Sequence, residues 1–272
     1  MSLNWIDVTN VSFNTLLLLE REQLSWLPGW LPEPELATAL KAHLAVEWYL
    51  RHKNPDLNSW VDQVLPQADP NNTPQGIRQA EETILRSIND LVVYALDPQI
   101  YADMPFLGWD STELSDLTDF RGKTVVDVGS GTGRLAFIAA EAGACAVFAV
   151  EPVGNLRVYI KDTARKRGLK DVYTMDGLIT DLPFPNDFVD IVMGGHVFGD
   201  HPEAEHAEMV RVAKPGGMVI LCPGSNDMDE GWHPFLVDQG FEWSRFEEPG
   251  DGMKRKYWKK VKREKYNVKR IP

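Results

Sequence analysis

The sequence predicts an α/β fold: a doubly wound, mostly parallel, seven-stranded sheet whose last strand is antiparallel, preceded by an N-terminal helical extension. Three observations predict it. After about Phe120, short β-branched runs alternate with helical segments, the order of a parallel sheet with crossover helices. The first of these runs ends in a glycine turn that opens a helix. Before about residue 110 the alternation is missing, and proline-punctuated helical patterns take its place.

In the first part, six of the nine tryptophans fall within residues 1–110, which makes this stretch too apolar for a disordered tail. Leu36, Leu40, Leu44 and Trp48 recur every four residues and predict one apolar helical stripe. A helix is expected from Pro74 to about Leu96, with Thr73 as N-cap, Pro74 at the first helical position and Asp97-Pro98 as the stop. In the second part, Thr124–Val128 reads as a buried strand, and a helix from Arg134 to Ala142 comes after it. Strands are then expected at Ala146–Val150, Val172–Met175, Val189–Met193 and Met218–Leu221, with helices at Asn155–Arg167, Glu203–Val212 and about His233–Gln239. Lys214-Pro215-Gly216-Gly217 reads as a turn. Phe241–Glu247 and Met253–Val261 flank Pro249-Gly250-Asp251-Gly252 and predict a closing antiparallel hairpin. The expected domains are residues 1–110, a helical cover that shapes the acceptor region, and residues 111–272, the ligand-binding sheet with a basic C-terminal strand and tail.

Composition excludes several classes. Apolar residues make up 43% and charged residues 25% of the 272, as in an ordinary globular protein with a sizeable core. Cys145 and Cys222 are the only cysteines, so a disulfide framework and a CxxC metal site are excluded, and a cytoplasmic setting is the expectation. The longest leucine run, Leu16 to Leu19, is stopped by Glu20, Arg21 and Glu22, so no membrane span is expected. The formal charge is −12, yet Lys254 to Pro272 holds ten basic residues and one acidic residue. An acidic body repels phosphate backbones and disfavours nucleic acid as a substrate, while the basic tail keeps it as an alternative. Edge protection of the last strand is the preferred reading of that tail, which includes Lys254, Arg255, Lys256, Arg263, Lys265 and Tyr266.

The chemistry begins at VVDVGSGTGRLA, where Gly129, Gly131 and Gly133 stand between strand and helix. Glycines there let the backbone approach a ligand closely. The frame is GxGxG rather than the dinucleotide GxGxxG, and Arg134 takes the sixth position. Asp127, at the mouth of the turn, repels a pyrophosphate and favours an ammonium or sulfonium group. Glu151 closes the second strand, where an acidic side chain accepts hydrogen bonds from ribose hydroxyls. A ligand with an adenosine ribose and a cationic amino-acid end suits both carboxylates, and S-adenosylmethionine is such a ligand.

With VFAVEP, TMDG, LPFPNDFVDIVMGGHVF and EMVRVAKPGGMVIL coming after it in order, the sequence resembles the class I S-adenosylmethionine-dependent methyltransferases, in their small-molecule, type 11-like branch. The resemblance covers about half the chain, from Phe120 to Val261. It implies S-adenosyl-L-methionine as cofactor and S-adenosyl-L-homocysteine as product. It implies that Asp127 sits near the methionine end, that Gly129, Ser130 and Gly131 form the floor, and that Glu151 and Pro152 flank the ribose. It further implies that Asp176 meets the adenine amino group, that Gly177 and Leu178 hold the ring, and that Gly194 and Gly195 lie where cofactor and acceptor meet.

His196, just past the fourth strand, is the candidate catalytic base. His206 reads as a helix-surface residue and His201-Pro202 as a helix start; no metal site is expected. Cys222 reads as a small buried residue rather than a nucleophile. Tyr101, Met104, Phe106, Trp109 and Phe198 are candidates to line the acceptor pocket or a lid. The expected function is methyl transfer to a small-molecule acceptor. The alternatives are a methyltransferase acting on a protein or RNA, and a non-catalytic S-adenosylmethionine-binding subunit. The acceptor's identity and the oligomeric state are not readable from the sequence.

Overall fold

The computed structural model describes residues 5–262, so Arg263, Lys265 and Tyr266 of the basic tail lie outside the described residues. The described residues form two compact units: residues 5–102 with 153–156, and residues 103–152 with 157–262.

The first unit is helical. Its core gathers Phe13, Leu16, Leu24, Leu36, Leu40, Leu50, Val61 and Ile84. Two sequence expectations change here. The four-residue stripe is not one helix: Glu33–Ala42 ends at His43, and Leu44–Lys53 restarts beyond it. His43 adopts φ −125°, ψ 70°, while its Nε2 lies 2.7 Å from Glu81 Oε1. The restart turns the second helix, so Leu44 and Trp48 are 70% and 62% exposed while Val46 and Leu50 enter the core. The helix expected from Pro74 to Leu96 is likewise two, Pro74–Ser87 and Asn89–Leu96, parted at Ile88. At the break Asn89 is a buried amide with long-range partners. Its Oδ1 accepts from the N–H groups of Trp5 and Ile6, and its Nδ2 donates to the Ile6 carbonyl. The expected start holds, with Thr73 Oγ1 accepting from the Gly76 N–H at 3.1 Å.

The second unit carries one seven-stranded sheet. Its strands are β1 (Thr124–Val128), β2 (Ala146–Val150), β3 (Val172–Met175), β4 (Val189–Gly194), β5 (Ala213–Asn226), β6 (Glu242–Glu248) and β7 (Gly252–Lys260). The order is β3-β2-β1-β4-β5-β7-β6. The pairs among β1 to β5 are parallel, and β7 runs antiparallel to both β5 and β6. Side chains alternate between two buried faces. Val125, Val147, Ala149, Ile191, Met193 and Ile220 pack on one, against the helix Arg134–Glu141. Val126, Val128, Val150, Val192, Val219 and Leu221 pack on the other. Burial on both faces is why these strands read as continuous apolar runs.

Lys214-Pro215-Gly216-Gly217 is not a free turn. Val189 pairs with Ala213 and Ile191 with Met218, so the four residues form a bulge inside a longer β5. The Gly216 N–H donates to Val261, and the Val261 N–H to Gly217, which holds the bulge in the sheet. β5 also runs beyond Leu221 because Ser225 and Asn226 pair with Arg255 and Lys254 of β7, with a register shift across Cys222-Pro223-Gly224. Proline fits such an irregularity, where a ladder donor is not needed.

Strand order reverses between β1 and β4, with β2 and β3 on one side and β5 to β7 on the other. In open parallel sheets this switch point, at the carboxyl ends of the strands, is where ligands bind.

Candidate cofactor and acceptor site

Four segments build the site, each at the carboxyl end of one strand: β1, β2, β3 and β4. After β1 the chain turns through Gly129 (φ +58°), Gly131 (φ +54°) and Gly133 (φ +87°), a left-handed course that side chains resist. A Cβ on Gly129 would lie 2.4 Å from Val197 Cγ2, and one on Gly194 would lie 2.6 Å from Val197 Cγ1. The Val197 side chain therefore sits in the space two glycines leave, joining the segment after β4 to the turn after β1. Ser130 is buried, and its hydroxyl donates to the Asp127 carbonyl at 2.8 Å.

Glu151, immediately after β2, is 5% exposed, and its Oε2 accepts from the Gly131 N–H at 2.9 Å. That bond holds the carboxylate against the turn. Pro152 is half-buried beside it. Past β3, Asp176 is exposed and pairs with Arg157 at 3.1 Å, while Arg157 also donates to the Glu151 carbonyl. Gly177 packs tightly, since a Cβ there would stand 2.9 Å from Pro183 and from Val150. Leu178 makes an isolated bridge to Asp181.

Asp127 faces inward. It is 1% exposed, and its Oδ2 accepts from the N–H of Ala136 at 3.0 Å in the first turn of the next helix. Burial pushes its carboxyl up to about 7, against the hydrogen bonds from Ala136 and Ser130. The structure thus gives Asp127 a helix-capping contact that ties the glycine turn to the helix behind it.

Beyond β4, Gly194 is buried and Gly195 half-buried. His196 is exposed, with Nε2 2.8 Å from Glu248 Oε1 and the Phe106 ring edge-on at 6.4 Å between centroids. Phe198 is buried against Trp232. Glu205, 1% exposed, accepts from the N–H groups of Gly199 and His201 and so braces this loop. His206 is not a free surface group. It packs edge-on against Phe235 and Phe241 and lies 3.0 Å from the Lys259 ammonium. Burial, with that ammonium beside it, lowers its ring to about 4. Cys222 is buried, and burial drives its thiol up to about 12, which removes it as a nucleophile.

Of the residues before β1, Met104 and Phe106 are half-buried. Trp109 is 2% exposed and belongs to the core: it packs on Phe246 and lies beneath the Arg134 guanidinium, 4.3 Å from the ring centroid. This burial removes Trp109 from the pocket-lining candidates. Tyr101 belongs to the helical unit, where it packs on Trp5 and Tyr94. Sequence reasoning missed Glu248, the partner of His196, and Arg157, the partner of Asp176. Each contact joins residues well apart in sequence, 52 and 19 positions, and no local pattern marks it.

The donor set at the switch point is the Glu151 and Asp176 carboxylates and a backbone turn. Its chemistry fits a cofactor with a ribose diol, and it does not fit a pyrophosphate.

Sheet order and antiparallel β7 match the Rossmann-like methyltransferase fold. Residues 126–221 match the family model described as "Methyltransferase domain" (Methyltransf_11). Among curated proteins, the chain is 37% identical over 111 residues to the histone-arginine methyltransferase CARMER of Anopheles gambiae, covering 39% of this chain and 18% of that protein. It is 43% identical over 75 residues to the ribosomal protein arginine N-methyltransferase rmt3 of Schizosaccharomyces pombe, covering 27% and 14%. The chain thus spans less than a fifth of the length of these relatives. Among solved structures it is similar to a SAM-dependent methyltransferase from Aquifex aeolicus, with a TM-score of 0.47 and 23% identity over 61% of this chain and 99% of that one. Among the described residues no helix is long and apolar enough to cross a membrane.

Proposed function

We propose that the chain transfers a methyl group from S-adenosylmethionine to a small-molecule acceptor. The observation that carries the cofactor half of this reading is Glu151, a buried carboxylate at the end of β2 that is clamped to the glycine turn by the Gly131 N–H. Glu151 binds the ribose diol, the backbone at Gly129, Ser130 and Gly131 supports the methionine end, and Asp176 with Gly177 and Leu178 borders the adenine. S-adenosylmethionine supplies a methyl group on a sulfonium, and the protein's contribution is alignment of the acceptor and exclusion of water. Phe106 and Phe198, near the end of β4, suit an apolar acceptor body.

Replacing Glu151 by Ala is expected to weaken S-adenosylmethionine binding at least about tenfold in calorimetry, through loss of charge-assisted hydrogen bonds worth ~1.5–3 kcal/mol. Unchanged affinity in a folded variant refutes the ribose assignment.

A second reading takes the guanidinium of a protein arginine as acceptor. It is favoured by the activities for which the two relatives are named. The net charge of −12 also attracts cationic partners. Transfer of labelled methyl to small phenols and amines, measured beside transfer to histone and ribosomal-protein substrates, separates the two readings.

A further inference from the structure

His196 and Glu248 form a pair that cofactor binding does not call for. His196 stands two residues past β4, at the carboxyl edge, and its backbone is left-handed at φ +54°, a conformation that costs a non-glycine residue energy. Its N–H donates to the Pro223 carbonyl at 3.0 Å. Its Nε2 lies 2.8 Å from Oε1 of Glu248, which ends β6 and is wholly buried. The other oxygen, Oε2, lacks a hydrogen bond among the described residues and faces the Lys254 ammonium at 3.5 Å. Lys254 is itself buried and is held by Asp251 at 2.7 Å and by Asn226. Arg134 is a further cation acting on Glu248. Both Glu248 oxygens are therefore committed, one to the ring and one to a buried cation.

A carboxylate only accepts hydrogen bonds, so the ring nitrogen facing it carries the proton. That leaves the lone pair on Nδ1. Among the described residues Nδ1 has no hydrogen-bond partner, and 35% of the side-chain surface is open. An imidazole whose far nitrogen is anchored by a buried carboxylate, and whose near nitrogen is free at a substrate edge, is arranged as a base oriented by a third group.

We propose that His196 is the general base of the methyl transfer, oriented by Glu248 as a positioning residue, and that the acceptor carries a phenol-type hydroxyl. The proposal rests on the methyltransferase reading above. In the step, the acceptor oxygen forms the new bond to carbon as its O–H bond breaks. The proton passes to Nδ1, and the electron pair of the methyl–sulfur bond leaves on sulfur. The imidazolium then returns its proton from Nδ1 to solvent. A guanidinium acceptor suits this arrangement less well, because Glu248 is wholly buried and cannot reach it.

The test has two independent readouts. In the ligand-free protein, nitrogen-15 NMR of the histidine rings is expected to show His196 protonated at Nε2 and bare at Nδ1 near neutral pH. The opposite tautomer overturns the proposal. The second readout is transfer from S-adenosylmethionine to a series of para-substituted phenols of increasing acidity. His196→Asn is the variant of choice, since asparagine tolerates the left-handed backbone. It is expected to lower kcat at least ~100-fold on weakly acidic phenols. The loss should shrink on 4-nitrophenol, which ionises without help, and the acid limb of the pH profile should vanish. Glu248→Gln should lower kcat at least ~10-fold with KM little changed, and should disturb the tautomer. An equal loss on every phenol marks a structural role and overturns the assignment, as does no transfer to any phenol by the unaltered protein. Calorimetric S-adenosylmethionine binding, retained in His196→Asn, separates failure of the base from failure of the methyltransferase reading.

Discussion

Asp127 is the residue whose chemistry differs most from what its position in the sequence promises. Its spacing from Gly129 suggests a charge facing a cationic ligand, yet the carboxyl is buried on the Ala136 N–H and raised to about 7. The unfolded chain releases this proton near the ordinary value of 3.8, whereas the folded chain keeps it until about 7. The folded state therefore binds the extra proton in that window, and stability falls as pH rises through it, by an amount on the order of 4 kcal/mol in all. Asp127→Asn keeps an oxygen for the Ala136 N–H and removes the ionisation. Urea denaturation at pH 5 and pH 8 is expected to find the variant at least as stable as the parent at pH 8, with the gap closing toward pH 5. A variant weaker than the parent at both values would contradict the burial cost. Glu151 shows the opposite case: its role at the end of β2 is legible from sequence because the position alone, after the second strand of a glycine-turn unit, defines the chemistry.

Elements were legible wherever a local pattern decides them. β1, β2 and β3 match their expected bounds because short β-branched runs between glycine and charged residues leave one solution. The breaks at His43 and Ile88 were not legible, since each goes with a distant partner: Glu81 for His43, and the Trp5–Ile6 backbone for Asn89. The His196–Glu248 contact was hidden for the same reason, as 52 residues separate the pair. The Asn89 contact predicts that Asn89→Ala destabilises the helical unit by ~1–3 kcal/mol, because it leaves two half-buried N–H groups without an acceptor. Chemical denaturation monitored by tryptophan fluorescence reads this directly. A change within ~0.5 kcal/mol would mean that water replaces the amide.

At the scale of the whole molecule, the charge divides between an acidic body and a basic C-terminal stretch. Four of its ten basic residues are spent internally. Lys254 pairs with Glu248 and Asp251, Arg255 with Asp227 and Glu230, and Lys256 with Glu113, and all three cations are buried. Lys259 donates to the Gln239 carbonyl. Few of these charges in β7 remain to track a phosphate backbone. Anisotropy titration with a single-stranded oligonucleotide is therefore expected to show no binding at physiological salt. Binding that weakens steeply between 50 and 200 mM salt would assign the basic stretch to nucleic acid instead.

The sheet order also governs when the molecule can be finished. Among the described residues β6 has β7 as its sole neighbour, and β7 lies between β5 and β6 although it is the last of the seven in sequence. During synthesis, β1 to β5 can pair as they emerge, but β5 waits with one open edge and β6 with no partner until Lys260 has been made. The C-terminal hairpin then arrives as a unit, closes the β5 edge, and in the same movement brings Glu248 to His196 and Lys254 to Glu248. A nascent chain halted before Gly252 would hold a sheet with a bare sticky edge and an unanchored imidazole, so the ribosome delivers the proposed proton acceptor first and its anchor last.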